Sequence, residues 1–354
     1  MSLARPLSTE TQAATTAAVH RDDAVSIERV DVPDPGPGEV IVAIDLATVC
    51  GADRKAAQNQ QGQARILGHE GVGRVLRAGA DASVEPGTRV VWAPTVTCGR
   101  CDRCRAGLTA ACRKSMSLGE QSIDGPWPLS GTFARHLLLP RGAAIAPVPH
   151  DLCDPVAASA GCSAATVISA FDAVGSLRGA RVLILGAGLL GLTAAAYAND
   201  SDAASIVVVD RDAARRHLAR TFGATETVDP HDGLPDADIV VDFTRSGDVT
   251  SAALRALTIG GRLILVEQHR STPAPGHGNA DLDTHRVTAR WQSVSGVSGA
   301  EPHHLSLAID YLTEARSRWP WEQLVTPAVP LSYLPSLLAG PAPIAPRTAV
   351  QPRR

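Results

Sequence analysis

One stretch of this chain leaves few folds open. The run Arg181-Val182-Leu183-Ile184-Leu185 enters the glycine loop Gly186-Ala187-Gly188-Leu189-Leu190-Gly191, which opens directly onto an alanine-rich apolar segment. A buried strand must therefore turn sharply into a helix. The first glycine makes the turn, the second lets the backbone approach a pyrophosphate, and the third allows close helix–strand packing. The same rhythm continues downstream. Residues 205–210 read as a second buried strand, 213–222 as a helix ended by Gly223, 237–243 as a strand, 249–257 as a helix and 262–266 as a strand after Gly260-Gly261. Apolar strands alternating with helices predict an α/β domain built on a doubly wound parallel sheet. Asp210 ends the second strand, about twenty residues past the loop, where an acidic side chain can bind both ribose hydroxyls of a dinucleotide and repel a 2′-phosphate. That favours NAD over NADP, with Arg211, the next residue, pulling the other way.

The preceding half has a different texture. Residues 25–32 alternate, Pro33-Asp34-Pro35-Gly36-Pro37-Gly38 makes a turn, and 39–46 form an apolar strand, with further short strands at 68–78 and 88–92. Short strands between Gly/Pro turns predict a β-rich domain. A chain of 354 residues exceeds what one core usually serves, so two domains are expected. Residues 270–285 read as a Pro/Gly/His-bearing loop, 286–294 as a strand offering a pairing edge, and 305–315 as a helix.

Seven cysteines, an odd number, suit metal binding better than a disulfide framework. Cys98, Cys101, Cys104 and Cys112 put four thiols within fifteen residues, with Gly99 and Gly107 letting the loop fold back. Four soft sulfurs suit tetrahedral Zn²⁺ and leave no position open for a substrate, so this lobe reads as a structural zinc site. Iron–sulfur loops usually differ in spacing and often carry a following proline. Of the remaining cysteines, Cys50 sits at the end of a strand and His69-Glu70 lies between Gly68 and Gly71. A catalytic zinc takes about three protein ligands and one open position. Cys50, His69 and one later residue would supply that, whereas each alone would read as a core side chain.

Together these residues resemble the zinc-dependent medium-chain dehydrogenase/reductase (alcohol dehydrogenase) family over residues 15–350. The carriers are Pro35-Gly36-Pro37-Gly38-Glu39-Val40, Val49-Cys50-Gly51-Ala52-Asp53, Leu67-Gly68-His69-Glu70, the four-cysteine lobe, Gly131-Thr132-Phe133-Ala134 and the glycine loop. Within it, the segments around Cys98–Gly107, Leu129-Ser130-Gly131, Ala160-Gly161-Cys162-Ser163 and Glu301-Pro302-His303-His304-Leu305 resemble alcohol dehydrogenases associated with phosphonate catabolism. The resemblance implies a GroES-like catalytic domain over 1–160 with its zinc lobe at 95–115. It implies a Rossmann NAD-binding domain over 161–295 and a C-terminal segment, 296–354, that completes the catalytic domain. It implies two zinc ions per chain. Cys162 falls at the third catalytic ligand, Glu70 is a carboxylate that can exchange with water at the metal, and Asp53 orients His69. Cys153 is then a spare thiol. Gly186, Gly188, Leu189, Leu190, Gly191, Asp210 and Arg211 fall to the cofactor.

The implied activity is hydride transfer between NAD(H) and a small alcohol or carbonyl. Two departures open an alternative. Many members carry a Ser or Thr whose hydroxyl receives the substrate proton where this chain has Ala52, and some continue with a His where it has Lys55. A reductase of specialised metabolism, acting on an aldehyde, an imine or a conjugated alkene with another proton donor, is the competing reading. Arg54, Lys55 and Arg65 face either an anionic substrate or solvent, the latter as an ordinary loop with Gln58, Asn59, Gln60 and Gln61. A net charge of −3 gives no argument for nucleic acid or an anionic membrane. No segment approaches the roughly 18 apolar residues of a membrane span. Residues 1–18 read as a loose extension rather than a signal peptide, so a cytoplasmic protein is expected, as a homodimer or homotetramer.

Overall fold

The computed structural model describes residues 14–22, 24–58, 63–244, 246–267, 282–341, 343 and 345–353. Six parallel strands form the nucleotide-type sheet, in the spatial order Glu226–Val228, Ser205–Val209, Arg181–Leu185, Ala237–Asp242, Leu257–Glu267, Ser293–Ser298. The chain builds outward from Arg181–Leu185 in one direction and then restarts on its other side. That reversal opens a crevice at the carboxyl ends of the strands. The residues of Arg181–Leu185 beyond Arg181 are buried, as a central strand covered on both faces requires.

The other domain is antiparallel. Val40–Val49 lies at its centre, paired with Glu70–Ala78, with His136–Leu139 and with Thr348–Gln351. The last of these comes from the C-terminal end, so two distant segments share one sheet. Ala14–Arg21 and Ala24–Asp31 form a hairpin that also pairs with Arg65–Ile66. Thr95–Val96 and Met116–Ser117 form a small ribbon at the base of the four-cysteine lobe.

Three readings are corrected. Residues 14–18 belong to a strand, not a loose extension, because Ala17, Ala18 and Val19 are buried against the sheet. The strand expected at 286–294 is a helix, Thr284–Ala289, capped by the Asp283 carboxylate on Arg286 N–H, and the strand follows at Ser293–Ser298. The cofactor domain therefore runs past 295, since Ser293–Ser298 pairs along its whole length with Leu257–Glu267. Most of the loop expected at 270–285 lies outside the described residues.

Candidate metal and cofactor site

Cys50 ends strand Val40–Val49 and caps helix Gly51–Ala57. Its Sγ accepts the Ala52 N–H at 3.2 Å, and its own N–H donates to Asp53 Oδ2 at 2.8 Å. A sulfur replaces the usual oxygen cap, which fixes it at the strand's end. The other Asp53 oxygen lies 3.2 Å from His69 Nδ1. Asp53 thus locks a thiol-bearing backbone and an imidazole to each other, and turns His69 Nε2 toward Cys50 Sγ at 3.6 Å. Zinc bound tetrahedrally by a thiolate at about 2.3 Å and an imidazole at about 2.0–2.1 Å needs a sulfur–nitrogen separation of about 3.6 Å.

Cys162 arrives from far along the chain, within a single π-turn, Ala160–Ala164, that is buried throughout. Such turns are rare and often sit at functional sites. Thr166 Oγ1 donates to the Cys162 carbonyl at 2.6 Å, and a side chain at Gly161 would strike the Trp92 carbonyl. The glycine lets this turn press against the end of strand Arg89–Trp92. Ligand atoms of Cys50, His69 and Glu70 lie within 4.8 Å of one another, and the buried Cys162 thiol reaches this group at His69, within its electrostatic range. Ala160 and Ala164 share a core with Leu189 and Leu192, so the cluster backs onto the helix that starts at the glycine loop.

Burial dominates the electrostatics. It pushes the Cys50 thiol up, helped by Asp53, and the Cys162 thiol up to about 12, helped by Glu70. For His69 burial pulls downward, but Cys50, Asp53 and Cys162 outweigh it and raise the imidazole well above its usual value. Two thiols, an imidazole and carboxylates packed this closely are a donor set in search of a cation. A bound divalent ion deprotonates thiols and keeps imidazole neutral.

Glu70, expected as an alternate metal ligand, has a carboxylate oxygen within 4.8 Å of the Cys50 sulfur and of a His69 ring nitrogen. It approaches His69 Nε2 only to 4.0 Å, and Arg347 grips it through Nε at 2.6 Å and Nη2 at 2.7 Å while Thr48 Oγ1 donates at 2.5 Å. Burial would raise this carboxyl, but Arg347 outweighs it and holds it below the usual range. Sequence reasoning missed Arg347 and Thr48. No local pattern connects residue 70 with 347; only the pairing of Thr348–Gln351 with Val40–Val49 brings them together. Arg54 and Arg65, offered for an anionic substrate, serve the scaffold: Arg54 donates to the carbonyls of Leu337 and Gly340, and Arg65 to that of Ala56. Cys153 is exposed at the cap of Asp154–Ala157, on a surface shared with Glu322.

In the lobe, Cys98 and Cys112 sulfurs lie 3.5 Å apart, as do those of Cys101 and Cys104. That is too far for a disulfide at about 2.05 Å. It is near the roughly 3.8 Å edge of a tetrahedron of Zn–S bonds of about 2.3 Å. Backbone N–H groups aim at the sulfurs: those of Arg100 and Cys101 pull the Cys98 thiol down, and those of Arg113 and Cys104 pull Cys101 down to about 6. The four residues fit a metal with nothing left over for a substrate.

The glycine loop has the expected form. Gly186 takes φ +98°, open to glycine, and a side chain at Gly191 would fall on the Gly186 carbonyl. Gly188 caps helix Leu189–Asp200 without a side-chain hydrogen bond, the form of helix start that suits an anion. Leu189 is buried and Leu190 half-buried. Asp210 accepts the N–H of Ala187 at 2.8 Å through one oxygen and that of Asp212 at 2.9 Å through the other, which sets its carboxylate beside the loop. Arg211 is exposed next to it.

The family model described as alcohol dehydrogenase GroES-like domain matches residues 36–150, and the one described as zinc-binding dehydrogenase matches residues 190–314. An L-threonine 3-dehydrogenase of Marinomonas sp. is 32% identical over 308 residues, covering 81% of this chain and 84% of the relative. A 5-exo-hydroxycamphor dehydrogenase of Pseudomonas putida is 28% identical, covering 89% and 92%. The solved structure of an alcohol dehydrogenase from Thermotoga maritima superposes with a TM-score of 0.85 at 22% identity, covering 96% and 99%.

Proposed function

This chain belongs to the zinc-dependent medium-chain alcohol dehydrogenase family, and from that premise we propose that it moves hydride between NAD and a small alcohol or carbonyl at the cluster of Cys50, His69 and Cys162. Membership makes it a zinc- and nicotinamide-dependent oxidoreductase acting on alcohols. The observation that carries the finer reading is His69, pinned by Asp53 at Nδ1 and aimed with Nε2 at the Cys50 sulfur. A zinc ion held by Cys50, His69 and Cys162 supplies a Lewis acid that favours the alkoxide form of an alcohol. Cys98, Cys101, Cys104 and Cys112 would hold a second, structural zinc.

The protein's own groups do the rest. Asp53 fixes the imidazole's tautomer and its aim. Arg347 and Thr48 hold both Glu70 oxygens, so Glu70 adds negative charge behind the cluster and becomes a ligand only when Arg347 releases it. Gly186, Gly188 and Gly191 would let backbone approach the pyrophosphate of a dinucleotide, and Asp210 would take its ribose hydroxyls, which favours NAD over NADP. The π-turn carrying Cys162 packs on the helix that the glycine loop begins, which brings hydride donor and acceptor into one crevice.

Ala52 supports a second reading, a reductase with another proton donor, because position 52 offers no hydroxyl. The two are separated by initial rates in both directions with NAD, NADH, NADP and NADPH. The panel begins with secondary alcohols, the class that the names threonine 3-dehydrogenase and hydroxycamphor dehydrogenase describe. Oxidation of an alcohol with NAD supports the first reading. Turnover confined to reduction of an aldehyde, imine or alkene supports the second, and activity surviving in a Cys50→Ala, His69→Ala protein overturns both.

A further inference from the structure

The motif Glu301-Pro302-His303-His304 plays no part in the chemistry above. Asp172, His303 and His304 do bring three ligand-type atoms within 4.8 Å of one another. His304 Nδ1, however, accepts the Glu301 N–H at 3.0 Å, so the neutral ring carries its proton on Nε2, which faces Asp172 at 3.6 Å and has no lone pair for a cation.

We propose instead that Glu301 is a latch between the two domains. Its backbone is held twice by His304: it donates N–H to His304 Nδ1, and its carbonyl accepts the His304 N–H at 3.0 Å. Pro302 starts the helix Pro302–Glu314. The carboxylate of this N-cap residue extends into the four-cysteine lobe. Oε1 accepts Ala110 N–H at 2.8 Å, and Oε2 accepts both Thr109 N–H at 2.9 Å and the Thr109 hydroxyl. One carboxylate satisfies three lobe donors, in the short turn Thr109–Ala111 that leads into Cys112.

The two ends of this contact belong to different units. The lobe springs from the ribbon Thr95–Val96/Met116–Ser117 of the antiparallel domain. Glu301 follows Ser293–Ser298, the edge strand of the parallel sheet, through Gly299 and Ala300. A small cavity lies between, lined by Thr97, Ala110, Ser115 and Ser117 on one side and Ser298 and Ala300 on the other. Residues 298–301 leave the carboxyl edge of the sheet, where a dinucleotide lies. Any displacement of the cofactor domain relative to the lobe stretches the three hydrogen bonds, so a cofactor that favours one domain arrangement acts on the lobe through them, and the lobe on the cofactor. The metal half of this coupling rests on the lobe being a zinc site; the latch itself does not.

The test uses the full-length zinc-loaded enzyme, wild type against Glu301→Ala and Glu301→Gln. Charge-assisted hydrogen bonds are the strong class, so Glu301→Ala should speed exchange of the Thr109 and Ala110 amides, and zinc release from the lobe to a chromogenic chelator, about tenfold or more. Glu301→Gln keeps one acceptor oxygen and should fall between. Saturating NAD should slow both processes in wild type and leave Glu301→Ala unaffected. Exchange in strand Arg181–Leu185 stays at the wild-type rate if the variants are folded. Should metal analysis find no zinc in the lobe, the amide exchange decides alone. Wild-type exchange at Thr109 and Ala110 in folded Glu301→Ala overturns the latch, and so does an NAD effect that survives in it.

Discussion

The two sulfur-bearing clusters of this protein are built in opposite ways. The lobe's four cysteines are neighbours in sequence, three of them only half-buried; backbone N–H groups pull the Cys98 and Cys101 thiols down, while burial raises that of Cys104. The cleft's Cys50, His69 and Cys162 are drawn from three separate segments and are nearly inaccessible, with exposures of 2%, 4% and 3%. Their charges are balanced by carboxylates and one arginine. A contiguous loop can wrap four sulfurs around an ion without the rest of the fold and leaves no ligand position free. A site assembled from distant elements can leave a ligand position free, because those elements are placed by their cores and not by the metal. The first design suits structure and the second suits chemistry.

The largest effect should separate these roles directly. Cys50→Ala should lower kcat by about 10³-fold or more, the scale of removing a reaction's main electrostatic support, while NAD affinity stays within about twofold. Cys104→Ala should lower thermal stability and leave the activity of folded molecules within about threefold. Steady-state rates and calorimetry on both variants decide, and equal loss of kcat in the two would end the distinction. Metal analysis belongs with it: two zinc ions in wild type and one in each variant.

Next is Arg347→Met, which leaves Glu70 buried without its partner. Removing one member of a buried pair typically costs about 3–5 kcal/mol. The double variant Arg347→Met, Glu70→Gln should recover most of that loss, as measured by denaturant unfolding. A single variant as stable as wild type would show that this ion pair does not compensate the burial of Glu70.

A buried group outside both clusters gives a reference for acid sensitivity. His136 packs with Nδ1 3.0 Å from Thr15 Oγ1, and burial, then Arg353, Arg77 and Arg135, pull it down to about 4. The unfolded chain therefore takes up this proton first as pH falls. Stability is full above about 6.5 and declines toward pH 4, by about 3 kcal/mol for a shift of this size. His136→Asn should flatten that part of the stability profile, and an unchanged slope would assign it elsewhere.

The smallest effect concerns the cofactor. Asp210→Ala should weaken NAD about tenfold, the loss of a pair of charge-assisted hydrogen bonds, and NADP by less. Titration of both cofactors measures it, and an unchanged ratio of affinities would remove Asp210 from selection. Because Asp210 also accepts the Ala187 and Asp212 N–H groups, the exchange rates of those amides report whether the loop itself has moved.

The sequence by itself determined whatever is local. Four cysteines within fifteen residues, a strand running into Gly186-Ala187-Gly188, and an acidic residue at the end of the next strand all obey short-range rules of backbone geometry and ligand softness. It misjudged edges, placing a strand over the helix Thr284–Ala289, because a short run with β-branched residues suits either state and packing decides between them. Only the tertiary structure decided that Arg347 occupies both oxygens of Glu70, that Arg54 spends its charge on the carbonyls of Leu337 and Gly340, and that a π-turn delivers Cys162. Those choices rest on which sheets the distant segments join. Buried charge then follows whatever partner lies within reach, since the cost of leaving it unpaired exceeds any preference written along the chain.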